Sequence, residues 1–129
     1  MKTTYELVKA HYEANDQRDM TGMIADIAED CRWTEMDGFP CAGTYVGAQA
    51  VVDNVFKALG GTFDAYTFKL ERLLDAGDSA VGIGTYTGIH KGTGKSFTAR
   101  VVHVWGASGG KIRSFEQFTD TLRVAESMA

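Results

Sequence analysis

Proline is nearly missing from this chain. Pro40 is the only one among 129 residues, and no proline-rich linker, low-complexity tract or internal repeat divides the sequence. Cysteine is scarce as well. Cys31 and Cys41 match neither a metal motif nor a CxxC redox pair, and they read as two reduced thiols of a cytosolic protein. No apolar run reaches the length of a membrane span. The opening stretch "MKTTYELVKAHYEANDQRD" carries charges throughout and lacks the apolar segment of a signal peptide. A basic excess is absent too: 13 Lys and Arg face 17 Asp and Glu, a net charge of -4, so no basic stripe is offered to nucleic acid. These absences predict one domain over residues 1–129, cytoplasmic, with neither a membrane nor nucleic acid as partner. Its length suffices to bury a core without a metal or disulfide.

What is present is a change of period. Over residues 4–18, Leu7, Val8, His11, Tyr12 and Asn15 recur at helical spacing. A second, short helix in "MTGMIADIAED" starts from Asp19 or Thr21, whose side-chain oxygen can cap an orphan amide. Residues 31–35 read as a short strand and 36–46 as a loop rich in turn residues. A third helix runs from Ala48 to Leu59 with Val51, Val52, Val55, Phe56 and Leu59 inward, and Gly60 and Gly61 end it. From residue 65 the period becomes two. Four long strands follow, "AYTFKLERLLDA", "SAVGIGTYTGIH", "KSFTARVVHVWGA" and "KIRSFEQFTDT", separated by tight turns. The tail "LRVAESMA" is a helical turn or frayed. Helices first and a meander after predict an α+β fold. The strands are apolar on both faces, so one face packs on the helices and the outer face calls for a second copy of the chain, a homodimer. Gly82, Gly84 and Gly88 share a face with Tyr86, leaving room for a close partner or for aromatic side chains.

Candidate chemistry centres on "CRWTEMDGFPC". Trp33 and Glu35 alternate onto one side of their strand. Glu35 either reaches solvent or an arginine such as Arg100 at the strand end, or lies in an apolar pocket with a raised pKa, where it can act as acid or base. His103, in "RVVHVW", titrates near neutrality and suits proton shuttling, as does His11. Gln117 and Thr119 alternate with Phe115 and can orient a ligand carbonyl. Tyr12, Trp33, Tyr45, Phe56, Val101, Trp105 and Phe115 read as walls of an apolar pocket. The histidines lack metal-ligand spacing, and "GIGTYTG" lies within a strand and opens no helix, so neither metal nor cofactor is expected.

The runs "EDCRWTEMDGFPCAGTYVGAQAVVDNVF" and "FTARVVHVWGASGGKIRSFEQFTDT" resemble the SnoaL-like branch of the NTF2-like superfamily, which also contains ketosteroid isomerase. The resemblance covers nearly the whole chain. It implies a cone: a curved antiparallel sheet wrapped around three N-terminal helices, with an internal apolar pocket and commonly a dimer. Carried over residue by residue, the isomerase's base falls on Glu35 and its first oxyanion donor on His11, beside Tyr12. The second donor falls on His103 or Val102, and His103 shares a face with Ala99, Val101 and Trp105. The related polyketide cyclases imply His103 beside an acidic residue on the last strand, a position held here by Gln117, which cannot take a proton from carbon. The resemblance thus implies the fold and a class of chemistry, cofactor-independent isomerase, cyclase or dehydratase proton transfer beside a carbonyl of a small apolar or polycyclic substrate. The alternative is a non-catalytic protein that binds a small hydrophobic ligand or acts through its dimer surface.

Overall fold

The structure, a computed structural model, describes residues 1–129. Helix α1 is Thr4–Asp16. It opens with a reciprocal cap in which the Glu6 amide donates to the Thr3 hydroxyl and the Thr3 amide to the Glu6 carboxylate. Its inward face is Leu7, Val8, His11, Tyr12 and Ala14, close to the expected set, with Asn15 half-buried. The helix stops before residue 18 because Arg18 takes a left-handed backbone, φ +55.

Helix α2, Met20–Ile24, is capped by Asp19, whose carboxylate accepts from the Gly22 amide. It is shorter than expected. Strand β1, Ile27–Glu35, takes over residues read as helix, because Ile27, Ala28 and Cys31 are buried by pairing with a strand far away in sequence. The segment read as one loop also contains a strand, β2, Gly43–Val46, antiparallel to β1. A helical run follows: α3 Ala48–Val51, a π-helical stretch Val52–Phe56, and α4 Lys57–Thr62. Gly60 and Gly61 lie inside its last turn and do not end it. The Thr62 hydroxyl holds the Ala58 carbonyl, and the chain turns extended at Phe63. Burial of Val51, Val55 and Leu59 fixes this run on the sheet, each apolar side chain contributing roughly 1.5–3 kcal/mol.

Strands β3 Phe63–Ala76, β4 Ser79–His90, β5 Ser96–Ser108 and β6 Lys111–Thr119 form the expected meander. The tail is helix α5, Thr121–Ser127, capped by Asp120. All six strands form one curved sheet in the order β2-β1-β6-β5-β4-β3. The sheet is not wholly antiparallel: β1 runs parallel to β6, because the helical run carries the chain across the molecule before the meander begins. No helix is long and apolar enough to cross a membrane.

This topology places two cross-strand rows on the inner face. Trp33 registers with Phe115, Phe115 with Trp105, and Trp105 with Ala80. One pleat along, Glu35 neighbours Gln117, which registers with His103, and His103 with Gly82. The Tyr12 ring from α1 fills the space above Gly82, so here glycine is room for an aromatic side chain. Gly82→Ala would drive a methyl group into the Tyr12 hydroxyl and ring. We expect it to lower stability by about 1–3 kcal/mol in urea denaturation.

Candidate active site

The inner row ends in a cleft of about 680 Å³ between the sheet, α1 and the helical run. Its floor carries Glu35, Trp33, Tyr86, His103, Trp105 and Phe115. Its mouth lies among Asp16, Arg18, Asp64 and Ala65. Trp33 stacks on Phe115 with ring centres 3.9 Å apart, and Trp105 meets both edge-on. Such packing holds the floor rigid.

Glu35 is 3% exposed. Its Oε2 accepts from Trp33 Nε1 at 3.2 Å, and its Oε1 from Gln117 Nε2 at 3.3 Å and from the Cys41 thiol at 3.7 Å. Arg100 pairs with Glu71 instead. Burial pushes the Glu35 carboxyl up to about 8, although the Cys41 and Trp33 donors pull it down. A carboxyl titrating there exchanges its proton near neutral pH, as an acid–base group must.

His103 points inward and Val102 outward, the latter facing Ile83 and Phe118 across the strands. The His103 ring is bonded at both nitrogens: Nδ1 to the Tyr12 hydroxyl at 2.8 Å and Nε2 to the Tyr86 hydroxyl at 2.7 Å. Burial, with His11 adding to it, lowers its pKa to about 3, so the ring is neutral. Trp105 Nε1 donates to Tyr12, and Gln117 Nε2 donates to Tyr86 at 2.8 Å. One unbroken chain of hydrogen bonds therefore runs from Trp105 through Tyr12, His103, Tyr86 and Gln117 to Glu35.

His11 also lines the cleft. Its Nδ1 donates to the Met23 carbonyl at 2.8 Å, and burial lowers its pKa to about 4. A neutral ring in that bond has no second proton, so it cannot serve as the hydrogen-bond donor that the resemblance implies at this position. Gln117 is fully buried behind Glu35 and Tyr86. It joins them and holds the Met36 amide with its oxygen, so it positions the site from behind the cleft wall.

Among the residues expected to form walls or to touch the ligand, Tyr12, Trp33, Phe56, Trp105 and Phe115 line the cleft. Three others lie elsewhere. The Tyr45 hydroxyl turns away to the Cys41 and Ala42 carbonyls, the Thr119 hydroxyl holds the Arg100 carbonyl, and Val101 is packed in the core beyond the cleft. Reading the sequence missed Tyr86, Tyr66, Phe68 and Cys41. The signal for Tyr86 was its position among Gly82, Gly84 and Gly88 on one face, where small neighbours leave a large ring its room.

The family model of the SnoaL-like domain matches residues 8–115. The chain belongs to the SnoaL-like domain family. The match spans both the carboxylate strand β1 and the histidine strand β5. An NTF2-like protein from Burkholderia thailandensis superposes with a TM-score of 0.99 at 56% identity, covering 100% of this chain and 99% of that one. An NTF2-like protein of unknown function from Burkholderia pseudomallei is 27% identical, with a TM-score of 0.88 and coverage of 100% and 99%. A protein of ketosteroid isomerase-like fold from Catenulispora acidiphila, in complex with trimethylamine, shares the fold at 20% identity and a TM-score of 0.73, covering 90% and 86%. No curated protein matches. The SnoaL-like and NTF2-like family includes isomerases and polyketide cyclases.

Proposed function

We propose that the sheet and the three N-terminal helices form a cone around a ligand pocket, and that the protein uses it for cofactor-independent proton transfer. The substrate is a small apolar or polycyclic molecule, and the proton moves on a carbon next to a carbonyl, the step that isomerisation, cyclisation and dehydration share. One observation carries this reading: a single buried carboxyl, Glu35, stands in an apolar floor and titrates near neutrality. Ionised, it takes a proton from carbon. Protonated, its O–H faces only donors within the protein, so the proton is directed to the ligand. A ligand seated against the aromatic walls displaces water from the floor, which strengthens each polar contact to the developing charge. The test is deuterium exchange at the carbon beside the carbonyl in a panel of cyclic ketones, followed by mass spectrometry. Exchange with the wild-type protein and none with Glu35→Gln supports the reading. Equal exchange by both overturns it.

A second reading, binding without turnover, draws support from the buried polar side-chain atoms, none of which lacks a partner within the protein, and from a small molecule held by a structural neighbour. A tightly held ligand released on denaturing the purified protein, with no exchange on any ketone, would favour it.

In either reading the outer sheet face calls for a cover. Val81 registers with Val104, and Ile83 with Val102, which in turn meets Phe118. Phe118 is 44% exposed and Val104 36%. A second copy of the chain is the proposed cover, since an apolar patch continued across three strands is unusual on a monomer. Phe118→Asp is expected to shift the protein from dimer to monomer in sedimentation equilibrium. A wild-type protein that sediments as a monomer would sink the idea.

A further inference from the structure

Most of the cleft wall is rooted in the core, and one stretch is not. From Asp16 to Asp26 no residue is buried, although Met20, Met23 and Ile24 are apolar. Met20 and Met23 nevertheless line the cleft, while Ile24 touches the edge of the core. Helix α2, which carries all three, has five residues, one of them Gly22. A helix that short does not hold itself together in water, so its shape depends on what ties it down.

The ties are few. At the near end the Asp19 amide donates to the Ala14 carbonyl at 2.8 Å, and Arg18 turns the chain through its left-handed backbone. At the far end the Ile112 amide of β6 donates to the Asp26 carbonyl at 2.8 Å. Between these anchors two side chains from the rest of the protein reach the segment. Lys111 Nζ donates to the Ala25 carbonyl at 3.5 Å, beside the far anchor and exposed to solvent. His11 Nδ1 donates to the Met23 carbonyl at 2.8 Å from a buried helix position. Gly22 lets α2 lie close on α1, since a Cβ there would stand 3.0 Å from that of Ala14.

The proposed chemistry gives His11 no task, yet burying an imidazole costs free energy unless it is hydrogen-bonded. Trp105, with ring centres 4.8 Å apart, and Tyr12, edge-on at 5.7 Å, fix the ring so that its N–H points at the middle of α2. We propose that Met20–Ala25 is a lid on the cleft, hinged at Arg18 and Asp26 and latched by His11. Latched, Met20 and Met23 complete the wall. Released, they swing out and widen the mouth for a ligand. Flexible methionine side chains suit a wall that closes again on what has entered. His11 is here a positioning residue and not a catalytic one. The inference shares with the proposal above only that this cleft is the ligand site, and it holds with or without turnover.

Hydrogen exchange of the ligand-free protein, followed by NMR, tests it. Each release lets α2 unwind, so the Gly22 and Met23 amides, bonded to Asp19 when the lid is shut, become free to exchange. In the wild type their exchange is expected to be indifferent to low urea, because a lid exposes little surface, while core amides of β5 speed up. The His11 Nδ1–H is expected to show about the same protection as these two amides, because latch and lid open together. His11→Phe keeps a ring and removes the N–H. It is expected to speed exchange at Gly22 and Met23 about tenfold, the worth of one net hydrogen bond. The lid is overturned if the two amides exchange only together with the core and with the same urea dependence. The latch is overturned if the His11 N–H stays protected while they open, a readout that needs no variant, or if a folded His11→Phe leaves their rates unchanged. If the lid moves as expected and Glu35→Gln leaves exchange at the ketone carbon intact, the lid stands and proton transfer falls.

Discussion

Glu35→Gln is expected to lower turnover of an enolisable ketone by about a hundredfold to ten-thousandfold while changing affinity little, because a positioned acid–base group contributes on that scale. The substitution keeps shape and volume, so the stacked floor of Trp33 and Phe115 stays in place. What it removes is the lone pair that takes the proton. An interaction used only in the transition state shows in kcat and not in the dissociation constant. The pH dependence follows from the same group. If Glu35 acts as the base, only its ionised form works, so kcat/KM of the wild-type protein rises with pH and levels off above about 8. Neither His11 nor His103 bends that profile near neutrality, since both stay neutral down to about 4 and 3. A glutamine variant as fast as the wild type would remove Glu35 from the mechanism, whereas a rate flat from pH 6 to 9 would mean that its carboxyl is ionised across that range.

How far this site was legible from sequence depends on the distance over which each part is decided. The alternation of Trp33 and Glu35, and of Ala99, Val101, His103 and Trp105, is a local consequence of the pleat. It places both functional candidates on the inner face without any knowledge of pairing. The start of β1 was not legible, because Ile24 and Ile27 fit a helical stripe as well as they fit a strand. Only pairing of Ile27 with Ile112, more than eighty residues on, decides between them. The parallel β1/β6 contact is decided at the same range, and it is what sets Gln117 behind Glu35. Tyr86 was visible as a large ring among glycines. Its chemical part depends on Tyr12, His103 and Gln117 converging on one place, from one helix and two further strands. The misplaced wall residues fail for a related reason. Val101 and Thr119 have the inward parity of the site, but the cleft occupies only part of the inner face, and periodicity cannot tell where along a strand a cavity ends.

The same buried groups should give the folded state a stability maximum near pH 6.5. Take the basic side first. The Glu35 pKa is raised from 4.5 in the unfolded chain to about 8 in the fold. Between those values the folded protein holds a proton that the unfolded chain has lost, so stability falls as pH rises, by about 1.4 kcal/mol per unit. The histidines work in the other direction. His11 and His103 drop from 6.5 to about 4 and about 3, so below pH 6.5 the unfolded chain binds protons that the fold refuses. Stability is therefore lost as pH falls, through two groups at once. From pH 6.5 down to about 4.5 two histidines act against one glutamate, and a net slope near 1.4 kcal/mol per unit remains. Above 6.5 only Glu35 acts, and the slope reverses. Cys31, pushed from 9.0 up to about 11 mainly by burial, adds a further descent above pH 9. Urea denaturation across this range should trace a peak. In Glu35→Gln the descent from pH 6.5 to 8 should vanish and the acid side should steepen about twofold. The amide also meets one donor too many at Trp33, Cys41 and Gln117, a cost that does not vary with pH and leaves the slopes readable. A wild-type stability that stays level from pH 7 to 8.5 instead of falling would mean that Glu35 is already ionised in the fold, held as an anion by its three donors, and no proton would then be available from it near neutral pH.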